Sequence, residues 1–279
     1  MKAELEAMET NLTWSIVPLP KGNNSIGCCW VYKIKHKADG SIERYKARLV
    51  AKGYTQQEGL DYFETFSPVA KMVTVKTFIV VTKEWPLVQL DVNNAFLHEQ
   101  LFEEVYMELP LGYKPQYEIQ GKKLVCKLQK SIYGLKQASR QWFTKFSTFL
   151  VSLEFQQSKA DYSIFIRGKN DSFIALLVYV DDIIITGANA LHIQELKRAF
   201  NQKFLLKDLG LLKIFLGLEL ARNSSDLFLS QRHYTLQLIE DTGLLGAKPT
   251  SIPMDTTTKL NASDKYILHD ATPYRRLIG

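Results

Sequence analysis

The chain has 279 residues, 46% of them hydrophobic and 23% charged, which fits one large or two smaller globular domains with a sizeable core. Lys and Arg number 35 against 29 Asp and Glu, a formal charge of +6 that favours an anionic partner without specifying nucleic acid. Cys28, Cys29 and Cys126 have no zinc spacing and exclude a disulfide scaffold, and Asp181-Asp182 interrupts the longest apolar run, so no membrane partner and an intracellular, cytoplasmic setting are expected.

In chain order, Lys2 to Glu9 reads as an amphipathic helical start, with no signal peptide before it. Residues 25 to 54 read as a β-hairpin. Trp30-Val-Tyr-Lys-Ile34 alternates, Ala38-Asp-Gly-Ser41 is a turn, and Ile42 to Ala51 returns. This hairpin carries Lys33, Lys35, Lys37, Arg44, Lys46, Arg48 and Lys52, with Tyr32 and Tyr45 interleaved. A solvated ribbon and a phosphate-gripping one share that composition. Val73 to Glu84 is ambiguous: its Thr, Val and Ile residues favour a strand by propensity alone. Leu87 to Asp91 reads as a short strand, 109 to 115 as a loop, and Leu124 to Leu128 as a strand. Arg140 to Leu153 has helical spacing, with Trp142, Phe143, Phe146, Phe149 and Leu150 on one side. Phe173 to Val180 and Ile183 to Thr186 read as two strands meeting at a tight turn. His192 to Phe204 is helical, Leu212 to Leu220 strand-like, Leu227 to Ser230 a short strand, and Gln231 to Thr242 a helix ended by Gly243. The mixture predicts an α+β protein on an antiparallel sheet.

Chemistry concentrates at Asp181 and Asp182. Two carboxylates about 4 Å apart repel by about 4 kcal/mol at an effective dielectric of ~20, so a divalent cation belongs between them and a partner. Asp91 ends a second strand, and the carbonyl of the next residue, Val92, offers a neutral ligand. Singly, each aspartate is explained by its turn or strand end. Together they point to two-metal phosphoryl chemistry. A two-metal nuclease is disfavoured, because no Glu or His cluster accompanies them and His98, His192 and His233 are scattered.

These residues also carry a resemblance. Tyr179-Val-Asp-Asp182 resembles the signature hairpin of reverse transcriptases. Gln89-Leu-Asp-Val-Asn-Asn-Ala-Phe-Leu97 is similar to the first metal-binding motif of the Ty1/copia retrotransposon branch. Ser131-Ile-Tyr-Gly-Leu-Lys-Gln-Ala-Ser-Arg-Gln-Trp142, Tyr45 to Gly53, Phe63 to Lys71 and Phe215 to Leu220 resemble further segments of that branch in the same order. Tyr274 to Gly279 resembles the start of a link toward a ribonuclease H domain, and the chain reads as a polyprotein fragment.

The resemblance implies a right-hand polymerase fold with fingers, an antiparallel palm sheet and part of a thumb. Its divisions would be a preceding segment at 1–13, fingers at 14–72, palm at 73–220 and the start of the thumb and connection at 221–279. Within the palm lie the motif strand 87–91, the helix 140–153, the hairpin 173–186 and the primer grip 212–220. Asp91, Asp181 and Asp182, with the Val92 carbonyl, would hold two Mg²⁺ ions, with Mn²⁺ as a substitute. Asp182 would be the weaker ligand. Arg48 or Lys52 would grip the triphosphate, Phe96 would exclude a 2′-hydroxyl, and Gly134 would let the backbone approach the incoming pair. Lys136 would lie toward nucleotide and template, and Gln137, Gly217 and Tyr179 toward primer and template. Lys207 or Lys203 would be a general acid, with a solvated helix-face lysine as the plainer reading. The partners implied are RNA template, DNA primer, dNTPs and the ribonuclease H and integrase regions of a parent polyprotein. Three departures from the pattern stand out: a stretch from Val73 to Trp85 one or two residues short, Glu99-Gln100 in place of Gly-Asp, and Cys29 in place of lysine. They keep open a second reading, a degenerate non-catalytic remnant with residual nucleic-acid binding.

Overall fold

A computed structural model of the chain describes all residues apart from 38, 83, 93–94, 96–99, 116, 118, 205, 224–225, 253–256, 258–268, 273 and 276–279. Its contacts divide it into two units, Met1–Leu211 and Leu212–Gly279. The first contains α1 (Lys2–Thr10), β1 (Trp14–Pro18), β2 (Cys28–His36), β3 (Ile42–Ala51), α2 (Met72–Val81), β4 (Leu87–Val92), β5 (Tyr106–Met107), β6 (Leu124–Leu128), α3 (Ala138–Ser152), β7 (Gln156–Gln157), β8 (Ile164–Arg167), β9 (Ile174–Tyr179), β10 (Asp182–Gly187), α4 (Ala190–Lys203) and β11 (Leu206–Leu211). The second contains β12 (Ile214–Phe215), β13 (Leu218–Arg222), β14 (Leu227–Ser230) and α5 (Arg232–Asp241). The unit boundary falls inside the stretch expected to be palm, so 212–220 belongs to the second unit.

The expected mixture of helices with antiparallel sheets is present. In the first unit β11-β4-β10-β9-β8-β7 form one sheet, β1-β6-β5 a second, and β2-β3 a separate ribbon. The near-continuous apolar run of β9 and β10 is buried on both faces of the larger sheet. One face is the principal core. There Ile174, Leu176 and Val178 of β9, Ile183 and Ile185 of β10, and Val88, Leu90 and Val92 of β4 meet Trp142, Phe146 and Leu150 of α3 and Ile193, Leu196 and Phe200 of α4. The 3.6-residue aromatic spacing of α3 delivers this. Trp142 stacks on Phe146 at 5.2 Å between centroids, and Phe146 meets Phe200 edge-on at 5.4 Å. Truncating such a ring typically costs about 3–5 kcal/mol.

Residues 72–81 form a helix where β-branched residues favoured a strand. Strand propensity is a weak preference that burial overrides. Val75, Phe78 and Ile79 fall at i, i+3 and i+4, a stripe only a helix can bury on one side, and all three are buried. Val73 and Val81 stay 74% and 71% exposed. The helix borders an apolar cleft of about 350 Å³ shared with Ile164 and Ile166 of β8 and Ala175 of β9.

The start of α2 has no side-chain cap of its own, and Asp161 reaches it from before β8. Its carboxylate accepts from the Thr74 hydroxyl at 2.6 Å, and from the Ser163 N–H at 2.9 Å and hydroxyl at 2.6 Å. Burial alone would raise this carboxyl, but bonds from Ser163 and Thr74, joined by the backbone of Lys71, outweigh it and hold Asp161 below its ordinary value. A depressed folded pKa gives stability above the unfolded carboxylate value, lost as pH falls through the folded one. Asp161→Ala is therefore expected to lose about 1–2 kcal/mol at neutral pH, with a deficit that shrinks on acidification. Thermal melts across pH check this, and a variant melting with its parent at pH 7 would remove the cap.

In the second unit, the expected strand 212–220 is broken. Leu216 and Gly217 both have positive φ, +51° and +79°, and turn β12 back on β13 with Phe215 opposite Leu218. Gly217 supplies a conformation open to glycine, while an apolar Leu216 hides the turn in the sequence. The α5 N-terminus is tied to β13, where Glu219 accepts from the His233 N–H at 3.0 Å. Among the described residues, no helix is long and apolar enough to cross a membrane.

Candidate active site

Strands β4 and β10 are neighbours, and their register places Asp91 directly opposite Asp182. The Val92 N–H donates to the Asp181 carbonyl at 2.8 Å. That makes 92/181 the hydrogen-bonded position and 91/182 the non-hydrogen-bonded one, where Cα atoms approach to about 4.5 Å and side chains stand closest. Like charges placed so are destabilising. The pairing continues outward, with Tyr179 of β9 opposite Asp182 and Lys207 of β11 opposite Asp91. One row across the sheet thus reads Lys207, Asp91, Asp182, Tyr179. Lys207 stands on a strand, not on a helix face. Gln89, two residues before Asp91, donates its amide to the Asp182 carboxylate at 3.2 Å.

Asp181 lies in the two-residue loop between Tyr179 and Asp182. Its neighbour Val180 has φ +55°, a value that hairpin turns normally assign to glycine and β-branched residues rarely adopt. The buried Trp142 indole N–H donates to the Val180 carbonyl at 2.6 Å. Burial pushes the Asp181 carboxyl up, and Asp91 adds to the rise; a bond from its own backbone, then Arg48 and Lys46, pull the other way. Burial likewise raises Asp182, reinforced by Asp181 and Asp91 and opposed by Gln89. At Asp181 the nearby charges of Arg48 and Lys46 do not offset burial and the acidic neighbour.

Arg48 and Lys46 belong to the β2–β3 ribbon, whose register sorts its side chains by face. Lys33 pairs with Lys46, Lys35 with Arg44 and Val31 with Arg48, so five cations share one face. Trp30, Tyr32, Ile34 and Tyr45 share the other, with Tyr32 and Tyr45 65% and 75% exposed. The tyrosines that interleave with the cations along the chain therefore stand on the opposite face of the ribbon. Lys46 is held below its ordinary value by burial and then by Arg48, Arg44 and Lys35. The Arg48 guanidinium lies over the Tyr133 ring at 4.5 Å, and its Nε is buried without a hydrogen-bond partner. Of the two triphosphate candidates, Arg48 is the one whose charge is felt at Asp181. The Lys52 N–H bonds to the Gly27 carbonyl at 2.8 Å.

A family model for reverse transcriptase (RNA-dependent DNA polymerase) matches residues 11–256. The chain belongs to the reverse transcriptase family. Among its relatives are Pol polyproteins of copia-type transposons. The retrovirus-related Pol polyprotein from transposon RE2 of Arabidopsis thaliana is 45% identical over 286 residues, covering 100% of the chain and 19% of that protein. The corresponding protein from transposon RE1 is 43% identical with the same coverage. That from transposon TNT 1-94 of Nicotiana tabacum is 42% identical, covering 94% of the chain and 20% of its own length. The chain spans about a fifth of the length of these relatives.

Other expected site residues of the reverse transcriptase domain fall as follows. Gly134 has φ +92°, and a Cβ there would meet the Ala51 carbonyl at 2.1 Å. Its bare face is filled by β3, so its approach is to the ribbon. Gln137 is buried, donating to the Asp61 carbonyl at 2.9 Å and accepting from Gln56 at 3.1 Å. At 1% exposure its side chain is enclosed in that network. Lys136 is exposed, with its Nζ 3.2 Å from both the Gln56 carbonyl and the Tyr62 hydroxyl. Gly217 lies in the second unit, in the β12–β13 turn. Phe96 lies outside the described residues.

Among the described residues no three His, Cys, Asp or Glu side chains form a ready-made metal cage. Magnesium rarely uses one: it takes one or two carboxylates with substrate phosphates and water. The hard oxygens of Asp91, Asp181 and Asp182 suit it. So does the Val92 carbonyl, which lies on the same strand edge as its N–H and faces the Asp181 turn. Sequence reasoning missed Gln89 and Trp142 as supports. The signal for Trp142 was an indole on an otherwise apolar stripe, since a buried N–H needs an acceptor.

Proposed function

We propose that this domain extends a DNA primer on an RNA template with deoxynucleotides, by two-metal nucleotidyl transfer. The observation that carries it is the direct pairing of Asp91 with Asp182 beside the Asp181 turn, where burial and acidic neighbours hold the Asp181 and Asp182 carboxyls above their ordinary values. Bound Mg²⁺ or Mn²⁺ would lower the pKa of the primer 3′-hydroxyl and neutralise the triphosphate and departing pyrophosphate. Asp91, Asp181 and Asp182, with the Val92 carbonyl, are the residues that would hold the ions. Arg48, whose charge acts on Asp181 and whose Nε is unsatisfied, is the residue we assign to the triphosphate. The cationic face of the ribbon is assigned to template and primer phosphates. Phe96 as a sugar gate rests on the motif alone. Ribonuclease H and integrase regions of a parent polyprotein complete the proposed partners.

Primer extension tests this. With Mg²⁺, oligo(dT) on poly(A) is expected to lengthen with dTTP. A folded sample that binds the hybrid and adds nothing would instead make the chain a degenerate remnant. Hybrid binding should also weaken steeply with salt. With Arg48 kept for the triphosphate, the four other ribbon cations on phosphates give a log–log slope of roughly −3 to −3.6, and Lys46→Ala should flatten it by about 1. A slope unmoved by Lys46→Ala would return the ribbon to ordinary solvated surface.

A further inference from the structure

We propose that Trp142 is a positioning residue that aims the Asp181 carboxylate by holding the Val180–Asp181 peptide. The inference rests on the reading of the three aspartates as the reacting centre. The side-chain direction of Asp181 is set by the two peptide planes that meet at its Cα. The plane before it carries the Val180 carbonyl, which accepts the Trp142 indole N–H at 2.6 Å. The plane after it carries the Asp181 carbonyl, which accepts the Val92 N–H at 2.8 Å. One clamp comes from α3 and the other from β4, so both planes are pinned by elements outside the turn.

The first clamp acts against strain. Val180 has φ +55°, a strained conformation for a branched L-residue that persists only when the surroundings impose it. Trp142 can impose it because it is itself fixed. It is 1% exposed, stacked on Phe146 at 5.2 Å and met edge-on by Phe204 at 5.4 Å. Without the indole donor, the Val180 carbonyl loses its buried partner and the turn is free to relax, carrying Asp181 with it.

The experiment removes the donor and then the strain. Trp142→Phe keeps an aromatic ring without N–H, and 3-benzothienylalanine at 142 keeps the bicyclic shape as well. Each is made alone and with Val180→Gly, since glycine takes positive φ freely. Hydrogen exchange of the Val92 amide reports the turn whether or not the protein is active. Primer-extension kcat, KM for dTTP and the melting temperature are measured in parallel. Donor removal is expected to speed Val92 exchange about tenfold and to lower kcat about tenfold or more with hybrid affinity unchanged. Val180→Gly should restore both to within about threefold of its own single variant. Unchanged Val92 exchange, or a kcat loss that follows the melting temperature and is not rescued by Val180→Gly, overturns the proposal. If the parent itself extends no primer, the polymerase reading fails separately. The exchange arm then still decides whether Trp142 holds the turn.

Discussion

Asp181→Asn is expected to abolish primer extension while raising the melting temperature of the metal-free protein. The carboxylate is partly desolvated beside Asp91, and its pKa is raised by burial first and by that neighbour second. A raised folded pKa in an acid means that the charged form is disfavoured by folding. At neutral pH the group therefore subtracts from stability, and the penalty lifts as pH falls through the folded value. Asparagine keeps the shape and removes the charge. After allowance for solvent screening, the gain is roughly 1 kcal/mol, or about 2–4 °C for a domain of this size. It should fade on acidification as Asp181 in the parent takes up a proton. The same change removes a charged oxygen from the proposed ion site, so extension should fall on the order of 10³-fold or more. Melts in EDTA across pH, set beside extension assays with Mg²⁺, separate the outcomes. A variant that extends primers near the parental rate removes Asp181 from the chemistry. One that melts lower than the parent removes the picture of a strained acidic cluster.

Gly134→Ala is expected to be the most damaging single-methyl change in the first unit. Its added carbon would lie 2.1 Å from the Ala51 carbonyl and 2.7 Å from the Val50 side chain, at a backbone φ of +92°. Gly53 faces it, with its own hypothetical Cβ 2.0 Å from the Gly134 carbonyl. Neither chain can yield, because the Ala51 N–H is bonded to the Tyr133 carbonyl at 2.8 Å. Overpacking and positive-φ strain together come to about 4 kcal/mol or more, a large part of the stability of an ordinary domain. Gly210→Ala is the control. It shares a positive φ of +77° but meets nothing within 4 Å, so it should cost only about 1 kcal/mol. Denaturant titrations of the two variants check the difference. Equal losses would mean that backbone strain, and not contact with β3, sets the demand for glycine at 134.

Much of this was legible in the chain. The apolar run around Asp181 and Asp182 could pair only as a hairpin, and alternation in Trp30 to Ile34 fixed the ribbon. The aromatic spacing after Arg140 fixed α3. What escaped notice depended on contacts between distant residues. The β-branched residues of α2 favour a strand in isolation, and only burial of Val75, Phe78 and Ile79 makes a helix the better solution. The α2 cap comes from Asp161, far along the chain from the helix it serves. Gln137 and Gly134 sit in a motif that resemblance ties to the template and incoming pair. In the structure the Gln137 side chain is bonded into the Gln56–Asp61 segment and the bare face of Gly134 lies against β3. The site itself was half visible. Its acids were found one by one, but their register could not be, because strand order is not written in local spacing.

The two-sided sorting of the β2–β3 ribbon bears on how copies of such a domain decay. Replacing any one of Lys33, Lys35, Arg44, Lys46 or Arg48 removes one charge and leaves the rest on their side. A single codon gained or lost at the start of β3, before Arg44, moves every residue beyond it to the opposite side. Arg44, Lys46 and Arg48 would then be turned away together and Tyr45 brought round in their place. In this ribbon a small in-frame gap disperses the cationic face at one step, whereas point changes thin it one charge at a time.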